Sequence, residues 1–279
     1  MNYLGLNDLI KRSLEEDIGY GDITTMSLIP ADQVAEGIFY AKDAGVIAGI
    51  EVSQAVFRYL DPEVHVQIIK QDGEEIIRGD TIAIVRGKSR ALLTGERTAL
   101  NYLQRLSGIA SQTRQMVELI KYSKSELLDT RKTTPGLRVL EKFAVAIGGA
   151  RNHRFGLYDG VMIKDNHIKA AGGIQKAVSL ARQKVPHTVK IEVEVESLEQ
   201  LAEALEARAD IIMLDNMNLN MMKEAVAIVN GRALLEASGG IKADDLLEVS
   251  KTGVDFISMG ALTHSAVSLD ISFDIIEVQ

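Results

Sequence analysis

The sequence predicts an α/β protein in two parts, a small α+β domain followed by a β/α barrel. In roughly the first third of the chain, short alternating runs typical of strands are separated by glycine-containing turns. From residue 125 onward, short apolar runs alternate with helical patterns, as in repeated strand-helix units. With 279 residues, of which 46% are hydrophobic, the chain can bury a core large enough for either one big domain or two moderate ones.

The amino-terminal part begins with a helix, and its strands follow. A long helix is predicted from Thr94, because apolar residues recur at three-four spacing as far as Ile120. Arg97 lies off that apolar stripe, so we expect it to face solvent or a partner. We place the first domain at residues 1–110. Its predicted elements are a helix over 7–17 and strands over 34–41, 64–70 and 81–86.

The carboxyl-terminal part contains six apolar runs, each ending in polar or glycine residues and followed by a helical pattern. Repeated units of this kind give parallel strands with right-handed crossovers, so we expect a barrel over residues 111–265. Residues 266–279 alternate in polarity, which indicates a last strand returning to the first domain. The six runs are ELLD, GVMI, VKIEVEV, DIIML, ALLEA and VDFIS.

Positive charge is concentrated between Arg131 and Lys169. That segment has eight Lys and Arg against three Asp and Glu, a balance of +5, whereas the whole chain carries −8. The remaining residues therefore carry −13. Such segregation predicts a site for a small, multiply charged anion.

Composition excludes several classes of protein. A pI near 5.3 argues against a nucleic-acid-binding protein. Zero cysteines exclude disulfides, thiolate catalysis and Cys-ligated zinc, and the five histidines lack metal-ligand spacing. The amino terminus is unlike a signal peptide, and no apolar run reaches the roughly 18 residues of a membrane span. We therefore expect a cytoplasmic protein.

The loops after the strands of a β/α barrel share one face, and polar groups from six units are predicted to converge there. Arginine and lysine bind carboxylates and phosphates, and glycine turns let backbone N–H groups approach a phosphate. For the glycine turns, a packing role is the alternative. The loops carry Arg131, Lys132, Lys164, Glu194, Asp215, Ser238-Gly239-Gly240 and Met259-Gly260-Ala261.

Glu194 and Asp215 are carboxylates in a predicted anion site. They are suited to hold Mg²⁺ or to bind ribose hydroxyls, and the alternative is that they form ion pairs with nearby lysines. Glu192 and Glu196 share the Glu194 face of the strand, and we expect them to have structural roles. His153 lies within the cationic segment, as does His167, so both are candidates for ligand contact.

Four segments carry a resemblance to a known family. They are EDIGYGDITT at 16–25, GERTALNYLQRLSGIAS at 95–111, DTRKTTPGLRVLEKFAVAIGGARNHRFGLYDGVMIKDNH at 129–167 and EASGGI at 236–241. With them, the chain resembles quinolinate phosphoribosyltransferases, also called carboxylating nicotinate-nucleotide pyrophosphorylases. The third segment is long and specific, and the likeness runs over essentially the whole chain.

The resemblance implies an amino-terminal α/β sandwich joined to an incomplete, open TIM-like α/β barrel, assembled as a homodimer or as a larger assembly of dimers. It implies that quinolinate and phosphoribosyl pyrophosphate react, with Mg²⁺ required, to give nicotinate mononucleotide, pyrophosphate and CO₂ for de novo NAD synthesis. The positions that match family ligand-contacting residues are Arg97, Arg131, Lys132, Thr133, Arg154, Lys164, Glu194, Asp215, Ser238 to Gly240 and Met259 to Ala261.

The resemblance also suggests roles for these residues. We assign Arg131, Arg154 and Lys164 to the quinolinate carboxylates, with Lys132 and Arg97 nearer the pyrophosphate or shared. Lys132, Glu194 and Asp215 are the expected catalytic residues, and the two carboxylates are the expected metal ligands. The matching residue in the family implies that Arg97 completes the partner subunit's site.

Three other interpretations compete with this one. A molybdenum-transport-associated relative shares the fold, but the three cations assigned to quinolinate favour a dicarboxylate. Nicotinate phosphoribosyltransferases handle one carboxylate and carry different motifs. The segment VHVQIIKQDGEEIIRGDTIAIVRG loosely resembles a lipoyl-type carrier hairpin, yet its turn lacks the exposed lysine that carriers modify. A structural sheet is therefore expected there.

Overall fold

The computed structural model describes residues 5–279, so the first four residues of the predicted amino-terminal domain lie outside the described residues. The helices are α1 (Leu6–Ile18), α2 (Ile23–Leu28), α3 (Ile50–Leu60), α4 (Ser89–Ile120), α5 (Arg138–Ile147), α6 (Asp165–Ala171), α7 (Ile174–Lys184), α8 (Leu198–Glu206), α9 (Leu219–Val229), α10 (Ala243–Ser250) and α11 (Ala261–His264). The strands are β1 (Val34–Ala41), β2 (Gly45–Val46), β3 (His65–Ile68), β4 (Glu75–Ile76), β5 (Thr81–Lys88), β6 (Glu126–Leu128), β7 (Val161–Ile163), β8 (Ile191–Val195), β9 (Ile211–Asp215), β10 (Leu234–Ser238), β11 (Phe256–Ser258) and β12 (Ile271–Val278).

The chain forms two compact units. Among the described residues, the first contains 5–112 together with Ala146–Gly148 and Ala266–Gln279. Its main sheet is antiparallel, with strand order β12-β1-β5-β3, so the last strand pairs beside the first. Side chains of β1 alternate between buried and partly exposed, as a half-buried strand requires. Rings of Phe39, Phe57 and Phe273 form the centre of its core, with centroids 4.9–5.9 Å apart.

The second unit contains Thr113–Val145 and Gly149–Ser265. Its six strands are parallel, in the order β6-β11-β10-β9-β8-β7. Helices connect successive strands, which buries both faces of the sheet and explains the continuous apolar runs of the sequence. Within the described part of the chain no ladder joins β6 to β7, so the barrel is open. The predicted α/β class with an incomplete barrel is confirmed.

All six apolar runs of the carboxyl-terminal part form the parallel strands, and β1 has the predicted bounds. The run over 64–70 gives the shorter strand β3, because the chain turns after Ile68. Helix α4 begins at Ser89, five residues before the predicted start. Helix α3 was not predicted, although its buried residues recur at helical spacing. Each helix between residues 5 and 279 is too short or too polar to cross a membrane.

Candidate active site

A cavity of about 600 Å³ opens where the parallel strands of the second unit end. Carboxyl ends of parallel strands lie on one side of a sheet, so residues from six strand ends meet there. Residues predicted for the site line it as follows: Arg131, Lys132, His153, Arg154, Lys164, Glu194, Asp215, Ser238, Gly239 and Gly240. Lining residues that the sequence did not single out are Thr130, Met162, Met213, Asn216, Glu236 and Ser258.

Four cations line this cavity: Arg131, Lys132, Arg154 and Lys164. The Arg154 guanidinium donates to the carbonyl of Gly160 at 2.9 Å, which fixes its orientation. Burial, with the charge of Arg131 as a second cause, lowers the pKa of Arg154 below its usual value. Two guanidinium groups close enough to repel each other are stabilised by a ligand with several negative charges.

Lys164 and Glu194 form an ion pair at the cavity wall. Lys164 follows β7 and Glu194 lies near the end of the adjacent strand β8, so the parallel register brings them together. The alternative prediction, that Glu194 forms an ion pair with a nearby lysine, therefore holds for Lys164. His167 lies outside the cavity lining, where its Nδ1 accepts from the backbone N–H of Lys164 at 3.0 Å.

Asp215 ends β9 beside Ser238, its register partner at the end of β10. Asn216 has a left-handed backbone, with φ of 53°, and its side chain donates to Asp215 at 2.8 Å. A Cβ on Gly239 would lie 2.3 Å from Asn216 Oδ1, and Gly239 has φ of +98°. Only glycine fits between these loops, so it sets the distance between the Asp215 carboxylate and the glycine turn.

The loop after β6 is held by residues behind it. Arg138 donates to the Thr133 hydroxyl at 3.0 Å, and buried Glu141 accepts from the Thr134 hydroxyl at 2.8 Å. Thr133 does not line the cavity, so in the described chain its contacts position the loop.

The turn Met259 to Ala261 supports the cavity from behind. The Thr263 hydroxyl donates to the Lys132 carbonyl at 2.8 Å, and a Cβ on Gly260 would lie 2.9 Å from Lys132 Cδ. Met259 is 3% exposed. The predicted turn therefore packs against Lys132, and its three residues do not line the cavity.

A fully buried ion pair lies behind the cavity. Asp129 accepts from the Lys142 ammonium group, from the Asn152 side chain at 2.7 Å and from the His153 backbone N–H at 2.8 Å. Lys142 also donates to the carbonyl of His153 at 2.9 Å. Burial raises the pKa of Asp129 and lowers that of Lys142, while their mutual attraction opposes both shifts. The pair fixes the backbone from which His153 reaches the cavity.

His153 contacts two buried glutamates. Its Nε2 lies 3.2 Å from Glu192 and 3.5 Å from Glu236. Burial disfavours the charged imidazole, yet the bond to Glu192 and both carboxylate charges raise the pKa of His153 overall. A charged imidazole would need a proton on both ring nitrogens. Nδ1 cannot carry one, because it accepts a hydrogen bond from the Arg154 backbone N–H at 2.7 Å. The imidazole is therefore held as the Nε2–H tautomer.

Sequence reasoning missed Glu236 and gave Glu192 only a structural role. Both lie inside apolar strand runs, where a carboxylate has no distinctive neighbours. The informative signal is the rarity of glutamate at a fully buried strand position unless it is paired or functional.

Arg97 lies on α4 in the first unit and is exposed, as its position off the apolar stripe predicts. It is not a lining residue of the cavity.

An open parallel α/β barrel with a cation-lined cavity at its strand ends defines a class of proteins that bind phosphorylated or carboxylated small molecules. The family models narrow this class. The quinolinate phosphoribosyl transferase C-terminal domain matches residues 109–274, and the N-terminal domain of the same family matches residues 22–107. The chain belongs to the quinolinate phosphoribosyl transferase family.

Individual relatives cover nearly the whole chain. It is 48% identical to a probable nicotinate-nucleotide pyrophosphorylase [carboxylating] of Bacillus subtilis, over 99% of this chain and 95% of the relative. It is 40% identical to a mitochondrial quinolinate phosphoribosyltransferase [decarboxylating] of Nicotiana tabacum, over 97% of this chain and 82% of the relative. The crystal structure of NadC from Streptococcus pyogenes is similar with a TM-score of 0.94 and 43% identity, covering 100% of this chain and 99% of that one.

Proposed function

We propose that this chain transfers the phosphoribosyl group of phosphoribosyl pyrophosphate to quinolinate with loss of CO₂. The products are pyrophosphate and nicotinate mononucleotide, which serves de novo NAD synthesis. The observation that carries the proposal is the set of four cations around one cavity in a chain of this family: Arg131, Lys132, Arg154 and Lys164. The cytoplasmic location expected from the sequence stays a prediction.

The charges of the substrates explain why so many cations are needed. Quinolinate has two carboxylates, and phosphoribosyl pyrophosphate has several more negative charges. In a cavity partly shielded from water, each fixed cation attracts these groups more strongly than it would in bulk solvent. The mutual repulsion of Arg131 and Arg154 supports a doubly charged ligand between them.

We assign the quinolinate carboxylates to Arg131, Arg154 and Lys164, since planar guanidinium groups bind carboxylates in paired hydrogen bonds. Lys132 is assigned to the pyrophosphate. Its backbone carbonyl is held by Thr263 at 2.8 Å, which supports a fixed position for this charge. Backbone N–H groups of the Gly239-Gly240 turn are assigned to phosphate oxygens.

The chemical step follows from the same charges. The quinolinate nitrogen attacks the ribose C1, and the bond from C1 to the pyrophosphate oxygen breaks. Negative charge grows on the leaving group, which the cations stabilise, and positive character grows at C1, which the carboxylates of Asp215 and Glu194 stabilise. The resulting pyridinium ring can accept the electron pair left when the adjacent carboxylate departs as CO₂.

Mg²⁺ is the proposed cofactor, with Asp215 and Glu194 as its protein ligands. Oxygen donors at the edge of an anion-binding cavity suit this hard cation, which also takes substrate phosphate oxygens. The Glu194 carboxylate is bound by Lys164, so it is released for such a role once Lys164 turns toward a substrate carboxylate. When bound, the metal would neutralise charge on the pyrophosphate.

We further propose that the chain works as a homodimer, or as an assembly of dimers, in which Arg97 completes the partner's site. The exposure of Arg97 supports this assignment. Apolar side chains also lie exposed in the first unit, where Ile23 is 82% and Leu28 is 71% accessible on α2. Exposed apolar groups of this kind are common where subunits associate.

The test of the proposed reaction is pyrophosphate release with phosphoribosyl pyrophosphate and Mg²⁺, with quinolinate and nicotinate compared at equal concentrations. We expect release with quinolinate and little with nicotinate, because the second carboxylate engages part of the cation set. Equal release with both acceptors, or release with nicotinate alone, would contradict the assignment of a dicarboxylate substrate.

A further inference from the structure

Three acid-base groups meet at the floor of the cavity, and the proposed function has not used them. One ring nitrogen of His153 and one carboxylate oxygen from each of Glu192 and Glu236 lie within 4.8 Å of one another. Glu236 is 1% exposed and Glu192 is 4% exposed. Glu236 nevertheless lines the cavity, so it is within reach of a ligand bound there.

Glu236 carries an oxygen with no partner. Its Oε1 makes no hydrogen bond to any group in residues 5–279, and the same holds for Ser258 Oγ, which lies beside it at the end of β11. A buried polar atom without a hydrogen bond destabilises the folded protein. Because Glu236 is a lining residue of the cavity, its side chain is suited to act on a ligand bound there.

A metal ion is one candidate occupant, and the histidine tautomer argues against it. Histidines that bind metals usually donate the proton of their other ring nitrogen to an acceptor. Here the other nitrogen, Nδ1, itself accepts from the Arg154 backbone N–H at 2.7 Å. Nε2 must then carry the imidazole proton, so its lone pair is not free for a metal. The cluster is therefore suited to proton transfer and not to metal binding.

The surroundings favour a proton on Glu236. Burial first, and then the charge of Glu192 on β8, raise the pKa of Glu236 to about 7. The charge of Lys164 and the nearby Ser258 hydroxyl oppose this shift, and a charge on His153 would oppose it too. A carboxyl group with this pKa is available as an acid near neutral pH.

We propose that Glu236 is the acid that gives a proton to the ring carbon from which CO₂ leaves. This assignment rests on the proposed function. When the bond between that carbon and its carboxylate breaks, the electron pair stays on the ring carbon. In the same step the O–H bond of Glu236 breaks, its proton forms the new C–H bond, and its electron pair stays on the oxygen. Water entering the open cavity returns the proton after the product has left.

Other groups in the cavity are less suited to this step. Glu194 is already bound by Lys164 in an ion pair, and guanidinium groups in general do not act as acids near neutral pH. His153 donates its Nε2 proton toward Glu192, lies 3.5 Å from Glu236, and acts as a positioning residue for these carboxylates.

The test separates pyrophosphate release from CO₂ release in a single turnover, using quinolinate labelled in the carboxylate that is lost. In Glu236→Gln, we expect CO₂ release to slow about 100-fold while pyrophosphate release stays within about threefold of the unmodified rate. A nucleotide that retains both carboxylates should accumulate. Glu236→Asp keeps a carboxyl group and should recover part of the loss.

Glu196→Gln is the matched control, because Glu196 is an exposed carboxylate just beyond β8, and both of its rates should be unchanged. Pyrophosphate and CO₂ release that slow together in Glu236→Gln would overturn the proposal and leave the proposed function intact. The absence of both products from unmodified protein would instead refute the proposed function. If Glu236→Gln does not fold, both rates are measured in the unmodified protein at different pH values. Only the rate of CO₂ release should fall as pH rises above about 7. The same pH dependence for CO₂ and pyrophosphate release would overturn the proposal.

Discussion

The buried pair of Lys142 and Asp129 is the residue-scale feature that holds His153 in place. Both side chains are 0% exposed. Replacement of Lys142 by methionine should lower the free energy of unfolding by about 3 to 5 kcal/mol, because it leaves a buried carboxylate without its cation. Urea unfolding measures this change. Lys121→Met removes an exposed lysine paired with Glu118 and should have no detectable effect; equal losses in the two variants would contradict the prediction.

Arg154 is a lining cation whose guanidinium is positioned by its hydrogen bond to the Gly160 carbonyl at 2.9 Å. Arg154→Ala should raise the KM for quinolinate about 10- to 100-fold, because a charged hydrogen bond contributes about 1.5 to 3 kcal/mol, with a smaller effect on the KM for phosphoribosyl pyrophosphate. Steady-state kinetics with each substrate varied in turn measure both constants. Arg182→Ala removes an exposed arginine paired with Asp210 on the same unit and is the control. An unchanged KM for quinolinate would count against the assignment.

The raised pKa of Glu236 predicts how the stability of the folded protein depends on pH. Its pKa is raised to about 7 in the folded protein, from an ordinary value of 4.5. The protonated Glu236 carboxyl group makes its full contribution to the free energy of unfolding below the ordinary pKa. This contribution is lost as pH rises through about 7. Glu236→Gln should therefore be more stable than the unmodified protein at pH 8 by at most about 3 kcal/mol, with little difference at pH 4. Thermal or urea unfolding at both pH values checks this, and a gain independent of pH would refute it.

At the scale of elements, the loops after β9 and β10 interlock through Gly239. Gly239→Ala should raise the KM for phosphoribosyl pyrophosphate at least about tenfold, because its Cβ would lie 2.3 Å from Asn216 Oδ1 and would displace the turn. Gly231→Ala is the control, since Gly231 also has a positive φ of +76° but nothing lies within 4 Å of its Cβ position. Similar KM values in the two variants would contradict the prediction.

The strands were predictable from sequence because of how parallel sheets bury them. Strands covered on both faces require continuous apolar runs, and each run was followed by a helical pattern. Helix α3 escaped prediction because apolar and polar residues in that segment do not form the longer, regular pattern of α4.

The same burial hides part of the site. The cations were predictable, since charges cluster in the segment over 131–169 and follow strand ends. Glu192 and Glu236 lie within strands, and a sequence does not give the depth at which a side chain sits below the cavity. The distances among His153 and these carboxylates depend on three separate elements, so only the fold brings them together.

At the scale of the whole molecule, charge is separated in a way that suits a small anionic substrate. The chain carries a net charge of −8, while four of the eight cations of its most basic segment line one cavity. A negative surface with a positive cavity directs small anions to the site without promoting binding to polyanions. The sequence predicted this separation, and the fold explains how the cations converge.

The proposed dimer predicts that two inactive variants recover activity when their subunits are mixed. Arg97→Ala and Lys132→Ala should each be nearly inactive, and a mixture that exchanges subunits should regain activity at about a quarter of its sites. The recovered sites would combine Lys132 of one chain with Arg97 of the other. Pyrophosphate release from the mixture and from each variant alone measures the recovery. No recovery, with exchange demonstrated by differently tagged chains, would mean that Arg97 does not act in a partner's site.

This chain is expected to join quinolinate to phosphoribosyl pyrophosphate with decarboxylation. The most direct measurement is the amount of pyrophosphate, CO₂ and nicotinate mononucleotide formed from a limiting quantity of quinolinate in the presence of Mg²⁺. Equal amounts of the three products, matching the quinolinate consumed, are predicted. Pyrophosphate without CO₂, or no consumption of quinolinate by folded protein, would contradict the account.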